Sequence, residues 1–405
     1  MEKSSFKDRN YWILFLLFCL LHSFFNYRTI VLSSFYSAMV LRLGVLLCGI
    51  FLLKYIFKED NNVGISKYVK SLVLMFFLSI LVSFVLRGQT LYEGVMAITQ
   101  CLPLCFFFIL KKLDVDIKTI KTFIISIAIL YILIWMLSIT TFPDNIFGYN
   151  ISLLERADSD IENRGVVRLG IPGADFIILC IFIIMTTFSE NRMKLIFLLP
   201  LVVMLLLRGT RTPFFITIFI CAIYYVVHQK NKLKLLLLSV LLIFSMNYVY
   251  NTLLHSNSDN ILVKYVKITD YQIKNNKDED DIRFRMSGYY LEQFNDNIFQ
   301  CIMGNGVPYG TSSYGKEIAQ NGELQNYYME DVGYVKIFVC FGVVGLVLYL
   351  LLLKKVVKTK ADNSIVFAKM YVIYIYIVSF TGGYILTAST FPFVLSLYLL
   401  DKEKT

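Results

Sequence analysis

Asp281-Ile-Arg-Phe-Arg-Met-Ser-Gly-Tyr-Tyr-Leu-Glu-Gln-Phe294, then Asn295-Asp-Asn297 and Gly304-Asn-Gly306, occupy the middle of a polar stretch from Asn251 to Asp331. A connection of about 80 residues is too long for a plain linker between apolar segments, so it carries structure or function of its own. Within it, Ile282, Met286, Tyr289 or Tyr290, and Phe294 fall near three- and four-residue spacing. That spacing predicts a helix with one apolar face, capped by Asp280 or Asp281. The stretch therefore reads as a folded cap.

Outward from this cap the chain is apolar in both directions. Of 405 residues, 57% are hydrophobic, 16% aromatic and only 17% charged, a composition that places the chain among polytopic membrane proteins. Spans need roughly 17–25 mostly apolar residues. Twelve stretches read as spans, the first and seventh short enough to need tilt or local thinning of the bilayer: 11–25, 29–53, 69–86, 91–110, 122–142, 172–188, 194–207, 212–228, 233–250, 332–353, 365–380 and 384–400. The expected fold is an all-α polytopic bundle. Its parts are residues 1–250 with an enlarged loop at 143–171, the cap at 251–331, and residues 332–405 with the last helices and a tail.

The formal charge of +10 does not indicate nucleic acid, because lysines cluster in short loops beside apolar runs. Lys3, Lys7, Lys54, Lys58, Lys111, Lys112, Lys230, Lys232, Lys354, Lys355, Lys402 and Lys404 all fall on one side of the twelve-span arrangement. Only Arg28, Arg87, Arg208 and Arg211 occupy the short connections on the other side. By the positive-inside rule, both termini are cytoplasmic and the cap faces outward. No cleavable signal is expected, since the first apolar run lacks a small-residue cleavage site. Seven of the eight cysteines lie in apolar runs; Cys101 and Cys105 share a helix face in a continuous span and read as packing.

No nucleotide-binding loop, nucleophile triad or metal spacing appears, and no cofactor is expected. The chemistry-bearing residues on the outer face are arginines: Arg164 and Arg168 in the loop at 143–171, Arg208 and Arg211 in the hairpin Arg208-Gly-Thr-Arg-Thr-Pro213, and Arg283 and Arg285 in the cap. Planar guanidinium forks suit phosphate oxygens, whereas lysine suffices for orientation. Pairing with nearby acids or lipid headgroups explains any one of them equally well. Arg283 and Arg285 are two positions apart, so a regular helix points them about 200° from one another. Arg283 is expected to turn inward. Arg42, mid-span, needs a partner such as Glu93 or Asp175.

Asp331-Val-Gly-Tyr334 and Phe341-Gly-Val-Val-Gly345 follow the arginine-led helix and the Gly-Asn-Gly turn. With the arginine hairpin and two enlarged outer loops, this order resembles the bacterial O-antigen polymerase and ligase superfamily over about residues 140–350. The resemblance implies a C-type glycosyltransferase of the cytoplasmic membrane. Its substrate would be an oligosaccharide repeat on undecaprenyl pyrophosphate, polymerised into a lipopolysaccharide O-antigen, capsule or exopolysaccharide. It also implies a flippase and a chain-length regulator as partners. Arg211 and Arg283 would stabilise the leaving pyrophosphate, with Arg164, Arg168, Arg208, Arg285 and Tyr327 in contact with substrate. Glu323 and Asp331 would be candidates for the acceptor's base, with Glu330 beside them, although each also suits a helix-orienting role. Ligases carry a histidine just before the span that follows the large loop. Gln325-Asn326 stands there instead, which favours polymerase over ligase. A flippase or transporter is the rival from another class, and sparse intramembrane charge argues against it.

Overall fold

The computed structural model describes residues 2–27, 62–141, 169–188, 191–208, 211–228, 282–382 and 390–402, with short pieces between 44 and 58, at 146–148 and between 248 and 270. The described residues form helices throughout: α1 (Glu2–Asn26), α2 (Ser66–Arg87), α3 (Leu91–Ile98), a 3-10 turn (Leu102–Cys105), α4 (Phe106–Leu113) and α5 (Ile117–Thr140). Then come α6 (Asp175–Thr187), α7 (Asn191–Leu207) and α8 (Arg211–His228). The cap contributes α9 (Ile282–Gly288), continued by a π turn (Tyr289–Gln293), α10 (Ile298–Met303) and α11 (Ser313–Gln325). A 3-10 turn (Met329–Asp331) leads into α12 (Gly333–Lys358), α13 (Val366–Val378) and α14 (Thr390–Lys402).

Among the described residues α2, α5 and α12 are each long and apolar enough to cross a membrane. The pair Leu91–Ile98 and Leu102–Leu113 forms a fourth if its 61° bend is one broken span. The expected spans at 29–53 and 233–250 fall largely outside the described residues. A single unbroken helix over 91–110 is not what forms. Pro103 at the start of the 3-10 turn has no N–H to give, and the helix breaks there. Cys101 therefore lies at the break, not on a shared helix face with Cys105.

Burial sorts the helices. Phe176 through Ile184 of α6 and Thr390 through Asp401 of α14 are buried without interruption, the mark of helices surrounded by others. Leu74, Leu78, Leu81 and Val85 of α2 are exposed, as are Ile129, Leu133 and Met136 of α5, leaving surfaces suited to hydrocarbon. α14 is tied to the start of α2 and the end of α4. Buried Asp401 accepts from the backbone N–H of Ile65 (2.8 Å) and Ser66 (3.2 Å), caps α2 from the far end of the sequence, and pairs with Lys111 at 3.4 Å. Lys402 pairs with Asp114 at 2.6 Å beside it.

The cap does not sit on top of the bundle; part of it is inserted. Gly304 packs on the backbone of Cys340 and Phe341, and Gly306 on Ser79 and Ser83. Phe341 is eight residues into α12 and Ser79 eight residues from the end of α2, so the turn reaches about 10 Å below their cap-side ends. Irregular backbone is tolerated at that depth only when protein satisfies its polar groups. α12 does this by breaking at Gly342 (φ 64°, ψ −166°). At the break the carbonyls of Val339 and Cys340 accept from the N–H groups of Asn305 (2.8 Å) and Gly306 (2.9 Å). Beside the turn, α10 leaves Ile298, Phe299 and Ile302 exposed.

Candidate functional site

The cap is held by the end of α2. Arg87, its last residue, has a side chain only 10% exposed. Its Nε donates to Asn305 Oδ1 (2.8 Å) and one terminal nitrogen to the Phe294 carbonyl (3.0 Å). The guanidinium pairs with Glu317 at 3.5 Å and Asp296 at 3.9 Å, and lies over the rings of Phe294 and Tyr314. Gln89 continues the seam: its Nε2 donates to the Val307 carbonyl (3.0 Å), and its Oε1 accepts from Tyr309 N–H (2.9 Å) and Ser312 Oγ (3.0 Å). Asn305 is fully buried and fully used, since its Nδ2 donates to Asn295 Oδ1 (2.8 Å) and to the Val339 carbonyl (3.2 Å). Buried polar groups so completely satisfied fix one arrangement.

Inside the cap, Tyr289, Tyr290, Phe294, Tyr314 and Tyr327 pack ring against ring. The Tyr290 hydroxyl donates to the Tyr327 carbonyl (3.2 Å). Burial pushes the phenols of Tyr290 and Tyr314 up, so both stay neutral donors. Tyr327 is half-buried in this cluster.

Arg283 and Arg285 are both exposed on α9. Met286 and Tyr290 fill the seat against the cap core. Arg208 is half-buried just past the end of α7, and both it and Asp175, at the start of α6, are electrostatic neighbours of Tyr131 on α5. Arg211 opens α8, while Arg164, Arg168 and Arg42 lie outside the described residues. Of the acids once weighed for Arg42, Glu93 closes a capping box with Thr90.

Glu323 and Asp331 are exposed. The N-cap position of α12 is Val332, whose own side chain makes no capping bond. Between Glu323 and Asp331 the chain carries Glu330, and it pairs with Lys336 at 3.4 Å. Lys336 is the residue sequence reasoning passed over. Its side chain is 5% exposed, one turn into α12, with Cys101 and Cys340 as electrostatic neighbours. A lysine four residues before Cys340 on an apolar helix was visible as an anomaly, because a buried ammonium requires a partner. Arg87 gave no such signal, since its partners are more than 200 positions away. No cluster of three His, Cys, Asp or Glu able to hold a metal occurs among the described residues.

Residues 176–350 match the family described as O-antigen ligase. That match supports the O-antigen ligase and polymerase superfamily. The match runs from the start of α6 past the break in α12. It therefore contains the Arg208–Arg211 hairpin, the whole described cap, the Glu330–Lys336 pair and Gly342. No individual curated protein matches the chain. Arg87 and Gln89, which fasten the cap, lie before the matched segment.

Proposed function

We propose that the chain is a lipid-linked glycan polymerase. It joins oligosaccharide repeats carried on undecaprenyl pyrophosphate into a surface polysaccharide, at the outer face of a bacterial cytoplasmic membrane. In this reading the chain has twelve spans and cytoplasmic termini, and the 251–331 cap faces outward with the 143–171 loop. The observation that carries the proposal is the family match over 176–350, together with a folded cap keyed into a broken helix inside it. The position where ligases of the superfamily carry histidine supports polymerase over ligase. Here Gln325 ends α11 and Asn326 is its left-handed C-cap (φ 57°), a helix-ending role with no acid–base chemistry.

The donor's sugar–pyrophosphate bond breaks as an acceptor hydroxyl attacks the anomeric carbon, and charge develops on the leaving lipid pyrophosphate. Arg211 and Arg208 at the hairpin, with Arg164 and Arg168, offer forked donors for that charge. The exposed Arg283 and Arg285 guide the anionic donor toward the cap. Glu323 and Asp331 remain candidates on the acceptor side. The protein needs neither nucleotide sugar nor cofactor in this scheme, because the lipid pyrophosphate is the leaving group. A flippase supplies the substrate and a chain-length regulator acts on the product.

Purified protein in lipid vesicles, given lipid-linked repeats with no nucleotide and no ion gradient, is expected to produce a ladder of polymer. Transfer of a single product to a different lipid acceptor, without a ladder, identifies a ligase. Movement of intact repeats across the bilayer with no new glycosidic bond identifies a flippase.

A further inference from the structure

We propose that a cavity on the cap, between α11 and the Tyr328–Glu330 segment, binds the acceptor sugar, and that Glu330 takes the proton from its attacking hydroxyl. The inference rests on the polymerase reading and deepens it.

The cavity measures about 210 Å³ and is lined by Pro308, Gly310, Gly315, Ala319, Tyr328 and Glu330, with Ile318 and Met329 completing it. Small side chains make the room. Gly322 lets the Tyr328 ring lie against α11, where a Cβ would stand 2.9 Å from the ring edge. That leaves the ring 47% exposed. An aromatic ring held flat by its backing suits the C–H face of a sugar, and a carboxylate beside it accepts from sugar hydroxyls. The lining also discriminates between the two substrates. Its one charged member among the described residues is an anion, which repels a pyrophosphate. The donor's pyrophosphate therefore lies on the side of its anomeric carbon away from Glu330, and the acceptor end of the second repeat belongs here.

Lys336 is the positioning residue. Its ammonium is buried, 3.4 Å from Glu330 Oε1, while the Glu330 side chain is 57% exposed and is part of the cavity lining. The backbone beneath the carboxylate is fixed as well. Asp331 N–H donates to the Tyr328 carbonyl (2.9 Å), and Lys336 N–H to the Val332 carbonyl (3.1 Å). In the step proposed, Glu330 accepts the hydroxyl proton while the hydroxyl oxygen bonds to the donor's anomeric carbon. The carbon–oxygen bond to pyrophosphate breaks, its electron pair leaves with the lipid pyrophosphate, and Glu330 later returns the proton to water.

The test uses full-length protein in lipid vesicles, with lipid-linked repeat units extracted from cells lacking this chain. Glu330→Ala is expected to slow chain extension by about 10²–10⁴-fold, with partial recovery in added formate, an external carboxylate. Chloride at equal ionic strength gives no recovery. Tyr328→Ala weakens competition by the free repeat oligosaccharide by up to about tenfold, and Tyr328→Phe, which keeps the ring, recovers most of that loss. Lys336→Met lowers the maximal rate and Lys336→Arg restores part of it. If Glu330→Ala elutes as aggregate, the isosteric Glu330→Gln decides, and a wild-type rate in it overturns the proposal. A slow, well-folded Glu330→Ala that formate does not restore overturns it also. A wild-type protein that makes no polymer defeats the polymerase reading instead, before any variant is compared.

Discussion

Gly342→Ala tests whether the cap is keyed into the bundle. Alanine would have to adopt φ 64° and ψ −166°, a region essentially reserved for glycine, at a cost of about 1–3 kcal/mol. Its Cβ would also overlap the Ile302 carbonyl and press on Gly304 N–H, so α10 and the inserted turn must move away. Moving the turn breaks the bonds from Asn305 and Gly306 to the Val339 and Cys340 carbonyls, each contributing about 0.5–1.5 kcal/mol net. Strain and lost bonds together favour an open cap by about 2–6 kcal/mol. Cys340 reports the opening, being buried directly under the turn. In a variant retaining Cys340 as its one cysteine, labelling by a small maleimide should accelerate at least about 30-fold when Gly342→Ala is added, since each 1.4 kcal/mol is tenfold. Labelling at the parental rate, with an unchanged melting temperature, would refute the claim that the turn is wedged into the α12 break.

Three further outcomes follow from the same contacts. Arg87→Met leaves Asn305 Oδ1 and the Phe294 carbonyl without their charged donor, and should destabilise the cap by about 1.5–3 kcal/mol, read as faster proteolysis between α9 and α11 with the transmembrane core intact. Asp401→Ala removes the distant cap of α2 and should lower stability by about 1–2 kcal/mol in thermal unfolding, whereas an exposed control such as Glu292→Ala should change nothing measurable. Arg211→Lys keeps the charge and loses the fork, so polymer yield should fall sharply at constant protein level; full activity would exclude forked recognition at the hairpin.

Legibility followed the range of the interactions. The α9 helix and its apolar face, the Gly304–Gly306 turn and the start of α8 beside Pro213 are local features, and periodicity or turn chemistry exposed them. The bend at Pro103 was also local, yet the unbroken apolar run around it outweighed a single residue. What pattern reading could not reach was pairing across the sequence. Arg87 looked like an orientation marker, and Asp401 looked like part of a tail. Each is a buried polar anchor whose partners, Asn305 for one and Ser66 for the other, have no signature of their own. Gly342 stood out within Phe341-Gly-Val-Val-Gly345, but nothing in that motif says that the helix opens there to accept a second backbone.

The wedge and the proposed acceptor site are mechanically one unit. The first eight residues of α12 are held near both ends. Gly333 N–H donates to the Ser379 carbonyl (2.8 Å) and the Tyr334 hydroxyl to the Tyr376 carbonyl (2.8 Å), which fix the start of the helix to α13. The inserted turn holds Val339 and Cys340 from the other side. Lys336 lies between these two clamps, so its ammonium has little freedom to follow a moving carboxylate. A positioning cation is useful when it is preorganised in this way, because the geometry is set before substrate arrives. Loosening the wedge should therefore act on the Glu330–Lys336 pair without touching either residue. If Gly342→Ala opens the cap as argued, it should also lower the maximal rate of chain extension and leave binding of the pyrophosphate donor intact. A loss of donor binding in that variant would mean that the cap, not the hairpin, holds the pyrophosphate.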